Sequence, residues 1–121
     1  MTRDEFDRFC ESLHATTHII QWGGASVWKV GEKIFAIASP VAEDCDHQPI
    51  SFKCSETSYD ILCEQDGLAP APYLARAKWI QIQKQGALSE DDLKDYIQTA
   101  HDIIRRKLTK KVQRDLGFDD V

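Results

Sequence analysis

Ser26-Val27-Trp28-Lys29-Val30-Gly31-Glu32-Lys33-Ile34-Phe35-Ala36-Ile37-Ala38-Ser39 is the stretch whose reading decides the fold. Two β-prone runs, Ser26–Val30 and Lys33–Ser39, flank the two-residue loop Gly31-Glu32, which is the layout of a β-hairpin. Glycine at the first central position predicts a type II′ turn. Ile34 to Ala38 is apolar on both faces, so it reads as a central strand with both sides at least partly covered.

Upstream, Thr16–Gln21 reads as a short first strand, and Gly23-Gly24 as the turn that follows it. Thr2 with Glu5 three residues on is a capping-box pattern that opens a helix. Phe6, Phe9, Cys10 and Leu13 recur at helical spacing and form its apolar face. Downstream, Pro40 to Pro49 is a polar loop and Ile50–Cys54 a further strand. Ser55 is the N-cap of a second helix carrying Tyr59, Leu62 and Cys63 and ending by Gly67. Pro70 and Pro72 hold the next segment extended. Lys78–Gln83 alternates, with Ile80 and Ile82 on one face and Trp79, Gln81 and Gln83 on the other. Ser89 caps the longest helix, with Asp92 placed to complete a second capping box. Its apolar stripe is Leu93, Tyr96, Ile97, Ala100, Ile104 and Leu108. A short basic helix from Thr109 to Leu116 ends at Gly117. Strands followed by helices predict an α+β domain over residues 1–121, an antiparallel sheet of four or five strands with helices packed mainly on one face.

The 121 residues suit one domain, and 42% hydrophobic with 29% charged content excludes a disordered chain. The opening MTRDEFDRF is acidic and amphipathic, without an apolar signal core, so a cytoplasmic, monomeric protein without membrane contact is expected. Cys10, Cys45, Cys54 and Cys63 form no CxxC pair and read as reduced thiols, with Cys10 and Cys63 acting as small core hydrophobes. Cys45 should be the most reactive, in a polar exposed loop, although Asp44 and Asp46 disfavour its thiolate.

The net charge of −5 is uneven. Arg105, Arg106, Lys107, Lys110, Lys111 and Arg114 stand within ten residues that hold no acid, leaving 9 basic against 20 acidic side chains elsewhere, a net of −11. Such a body repels phosphates, so nucleic acid would have to bind through a local patch.

Several stretches carry a resemblance. Trp28-Lys29-Val30-Gly31-Glu32-Lys33-Ile34-Phe35-Ala36, Ser51-Phe52-Lys53-Cys54 and Lys78-Trp79 occur in that order. Gly86-Ala87-Leu88-Ser89 then leads into a helix that ends Arg106-Lys107-Leu108-Thr109-Lys110-Lys111. Together they resemble the MmcQ/YjbR family of small bacterial proteins over nearly the whole chain. The resemblance implies a frataxin-like (CyaY-like) sandwich and a double-wing likeness to a DNA-binding domain, and fold alone does not fix function. Relatives usually carry His-x-Asn-Lys before the tryptophan. Here Tyr73, Ala75 and Arg76 stand in those places, so only the positive charge is kept.

Catalysis is not signalled. There is no Gly-x-Ser-x-Gly elbow, no phosphate-cradling loop and no cysteine with an obvious base partner, and His14, His18, His47 and His101 are scattered. Asp44-Cys45-Asp46-His47 is too tight for one ion to use all four, and Asp4, Asp7 and Glu11 suit the helix dipole as a solvated ridge without a ligand. The sequence therefore predicts a DNA-binding or regulatory module without catalytic residues, metal or cofactor. Its contacts would be Lys29, Lys33, Lys53, Arg76, Lys78, Arg105, Arg106, Lys110, Lys111 and Arg114. Trp79 would stack a base from an accessible sheet face unless the C-terminal helix covers it. The alternatives are a module that binds a protein partner or a small ligand and, more weakly, a frataxin-like metal-handling protein.

Overall fold

The hairpin that anchors the sequence reading sits inside a six-stranded antiparallel sheet of order β1-β2-β3-β4-β6-β5 in the computed structural model, which describes residues 1–121. The strands are β1 (Thr16–Gln21), β2 (Ala25–Val30), β3 (Lys33–Ala38), β4 (Ile50–Lys53), β5 (Leu68–Pro70) and β6 (Trp79–Ile82). Four helices accompany them: α1 (Arg3–Ser12), α2 (Glu56–Cys63), α3 (Glu90–Arg106) and α4 (Lys110–Asp115). The sixth strand is β5, beyond the four or five expected. Three residues ending in proline give no alternation to detect, and proline is tolerated there because β5 is the sheet's edge.

Gly31 and Glu32 both take positive φ, +56° and +68°, so the hairpin turn is type I′ and not the type II′ expected from glycine alone. Between the pairs Trp28↔Ala36 and Lys29↔Ile34 the register slips by one, leaving Phe35 as the extra residue of a bulge. The bulge lets Phe35, Ala36 and Ala38 all join the helix-side core, while Ile34 and Ile37 serve the opposite face.

The helix-side core gathers Phe6, Cys10, Trp28, Phe35, Phe52, Ile80, Ile97 and Ile104, over which α3 crosses β2 to β4. Phe6, Phe35 and Phe52 are fully buried, and each contributes roughly 1.5–3 kcal/mol of transfer free energy. Thr2 and Glu5 form the expected reciprocal capping box. Ser89 accepts from the Asp92 N–H, but the shorter aspartate makes no return bond, so that box is half formed. Phe9 and Tyr96 are half-buried at the margin of the core and not inside it.

On the opposite face a smaller core holds Ala25, Val27, Ile37, Ala71 and Trp79. Residues 71–78, including a 3₁₀ turn at Ala75–Ala77, fold back over this face. Trp79 is thereby only 5% exposed, which removes it as an accessible stacking residue. Its cover is this returning segment and not the C-terminal helix. All four cysteines are free thiols, with Cys10 and Cys54 buried and Cys63 half-buried against the core. No helix is long and apolar enough to cross a membrane.

Candidate nucleic-acid interface

The cations expected to meet phosphate divide sharply once folded. Arg105 is 7% exposed and sits in an ion pair with Asp120, donating also to Gln113 Oε1 at 3.0 Å and to Asp102 Oδ1 at 3.2 Å. Its guanidinium lies 4.7 Å over the Phe118 ring. The Asp120 bond raises its pKa above the usual arginine value. Arg106 donates to the same Asp102 at 3.0 Å and lies 3.5 Å from Asp120. Both arginines thus tie the C-terminal residues to α3; Arg105 is buried in doing so, whereas Arg106 keeps 59% of its side chain exposed.

Lys53 is also withdrawn. It is 8% exposed, and its ammonium donates to the Ala77 carbonyl beneath the returning segment. Burial depresses its pKa, and Lys107 and, more weakly, Lys78 push it the same way. Lys78 is half-buried with its ammonium 4.9 Å from the centre of the Tyr59 ring. Lys29 is half-buried on the non-helical face.

The remaining cations stay available. Lys33, Arg76, Lys107, Lys110, Lys111 and Arg114 are exposed, and none lies within 4.0 Å of a carboxylate. The hairpin tip seats on the α3–α4 junction, so Lys33 and the basic run flank one contact. A Cβ placed on Gly31 would lie 2.5 Å from Leu108 Cδ1, so any other residue there makes the Leu108 side chain shift. The strand ends at Lys53 and Trp79 pair side by side at the same end of the sheet. The Gly31 turn, the end of β4 at Lys53 and the start of β6 at Trp79 therefore lie at one end of the sheet, where Leu108 packs.

Sequence reasoning missed two aromatic residues that the fold exposes. Trp22 is 64% and Tyr73 fully exposed, and both take positive φ, +49° and +66°. They flank a cavity of about 470 Å³ on the non-helical face, floored by Ile37, Ser51 and Gln81. Gln81 Nε2 donates to Ser51 Oγ at 3.2 Å there. Exposed aromatic residues next to Gly23 and Pro72 were the available signal. Asp7 leaves the acidic ridge of α1 and turns inward, accepting from Ser26 Oγ at 2.5 Å and from Trp28 Nε1 at 2.8 Å. Cys45 does have a base partner, contrary to the sequence reading: His47 Nδ1 lies 3.2 Å from its sulfur.

The family model described as YjbR matches residues 11–103. The fold is similar to the crystal structure of a Deinococcus radiodurans protein with the domain DUF419, at TM-score 0.85 and 20% identity over 98% of this chain and 90% of that one. It is also similar to a Pseudomonas syringae protein of known crystal structure, at TM-score 0.70 and 18% identity over 86% of this chain and 99% of that one. At these identities the likeness is one of fold. No curated protein matches the chain.

Proposed function

The chain belongs to the YjbR family, and on that footing we propose that it binds the phosphate backbone of nucleic acid through one basic end, as a binding or regulatory module without turnover. The observation that supports this reading is the seating of Gly31, two residues before Lys33, on Leu108, one residue after Lys107, while Asp102 and Asp120 pair with Arg105 and Arg106 instead. Unpaired exposed cations at one end of an otherwise acidic molecule favour contacts to phosphate over base readout. Binding is accordingly weak and sequence-tolerant, and it orients the acidic body away from the strand. The contacts are Lys33, Arg76, Lys107, Lys110, Lys111 and Arg114, with Lys78 and Lys29 at the margin.

A second role has a specific observation in its favour. The cavity between Trp22 and Tyr73 is mostly apolar, has a small polar floor and suits a planar small ligand or a single unstacked base. Titration of labelled single-stranded and duplex oligonucleotides at low and moderate salt separates the two. Saturable binding to both that weakens as salt rises supports the basic end. Absence of binding at low salt and high micromolar protein removes it and leaves the cavity as the functional site.

A further inference from the structure

The Pro40–Pro49 loop brings a nucleophile and a base together beside a second cavity. Cys45 Sγ lies 3.2 Å from His47 Nδ1 and 3.2 Å from the carbonyl oxygen of His47. His47 Nε2 lies 3.1 Å from the Ile82 carbonyl oxygen. A carbonyl only accepts, so Nε2 carries a proton, and in the neutral ring Nδ1 holds the lone pair. The other group near Nδ1 is the Asp46 carboxylate at 3.4 Å, which also only accepts. The thiol is therefore the one donor facing Nδ1, with the His47 carbonyl as its competing acceptor. If the proton moves to the ring, the imidazolium keeps both N–H groups satisfied, Nε2–H by Ile82 and Nδ1–H by the thiolate and Asp46.

The imidazole is 13% exposed and Cys45 half-buried, and both line a cavity of about 440 Å³ together with Arg3, Asp46, Lys84 and Gly86. The other three thiols lack this arrangement. Cys10 and Cys54 are sealed in the core, and the Cys54 thiol is pushed up to about 12 by burial. Cys63 has no imidazole partner.

We propose that Cys45 and His47 form a thiol–imidazole pair that accepts a low-molecular-weight disulfide in this cavity and is converted to a mixed disulfide. His47 Nδ1 takes the Cys45 proton, and the thiolate attacks one sulfur of RSSR. The Cys45 S–S bond forms as the R–S–S–R bond breaks, and the leaving RS⁻ takes the proton back from His47 as RSH. One thiol and one disulfide give one mixed disulfide and one free thiol, with Cys45 oxidised and the departing sulfur reduced. The modification is stoichiometric, and a second thiol reverses it. It does not depend on the nucleic-acid role, since the cavity lies on a different set of residues.

The test is the reaction of the intact protein with dithiobis(nitrobenzoate), followed by absorbance, with the modified cysteine located by peptide mass spectrometry. One thiol should react ahead of the rest and map to Cys45, and Cys45 should react faster in the folded protein than in the urea-unfolded chain. His47→Gln keeps an amide donor for the Ile82 carbonyl but has no base, and it should slow the reaction on the order of tenfold or more. The folded-versus-unfolded comparison needs no variant and stands if His47→Gln fails to fold. Cys63 reacting first, equal Cys45 rates in folded and unfolded chains, or an unchanged rate in a folded His47→Gln protein would each overturn the proposal.

Discussion

At the scale of single residues, Trp79 shows how burial changes the meaning of an experiment. Alternation places it opposite Ile80 and Ile82, and the structure agrees, but the face it occupies is roofed by residues 71–78. Trp79→Ala should therefore cost roughly 3–5 kcal/mol of stability, read as a lower urea midpoint, and lower single- and double-strand binding alike through unfolding. Trp22→Ala and Tyr73→Ala change exposed side chains and should stay within about 0.5 kcal/mol of the wild type. A selective loss of single-strand binding in these two variants, with duplex binding kept, is the signature of base stacking. His101 carries a second residue-scale expectation. It is 4% exposed, donates to the His14 carbonyl at 2.8 Å and meets Phe35 edge-on. Burial depresses its pKa, so the unfolded chain takes up the proton first as pH falls. Its contribution is full above the ordinary histidine value of about 6.5 and shrinks below it. The melting temperature should drop between about pH 7.5 and 5.5, and by less in His101→Gln.

At the scale of elements, the β2–β3 turn joins conformation to tertiary contact. Gly31 needs positive φ and also leaves room for Leu108, so Gly31→Ala is penalised twice, by roughly 1–3 kcal/mol in total. Glu32 shares the left-handed conformation without such a contact, and Glu32→Gly should be neutral or stabilising by up to about 1 kcal/mol. Opposite signs for the two in urea unfolding would establish the type I′ geometry, and equal losses would contradict it. The hairpin, the caps and the helices were legible because their signals are local: a two-residue loop, a hydroxyl three residues before the N–H that donates to it, an apolar stripe. The turn type, the Phe35 bulge and β5 were not. Each is settled by what packs on the strand from elsewhere in the chain, and three residues of β5 are too few to show a period.

At the scale of the whole molecule, charge pairing decides which cations remain for a ligand. Asp102 and Asp120 consume Arg105 and Arg106, leaving Lys107, Lys110, Lys111 and Arg114 of the basic run free. Replacing Lys110, Lys111 and Arg114 with alanine should lower affinity for DNA and flatten the salt slope of the logarithm of affinity by about 2–3. Arg105→Ala should instead lower the melting temperature, since it leaves Gln113 Oε1 without its donor and Asp120 with only the more distant Arg106. Titrations across salt with parallel thermal melts distinguish these outcomes. A slope unchanged in the triple variant would place binding elsewhere on the surface.

The sequence by itself determined the α+β class, the hairpin, the long α3 with its apolar stripe and the excess of cations in one run, because periodicity, capping and composition are written in neighbouring residues. Only the tertiary structure decided which of the chain's cations are spent. Lys53 is bound to a carbonyl 24 residues away and Arg105 to an aspartate 15 residues away, separations that carry no local signal. The same holds for the Cys45–His47 pair. Its two residues are near neighbours in the sequence, but the ring's orientation comes from Ile82, 35 residues on, and that distant carbonyl is what turns an ordinary loop histidine into a base facing a thiol.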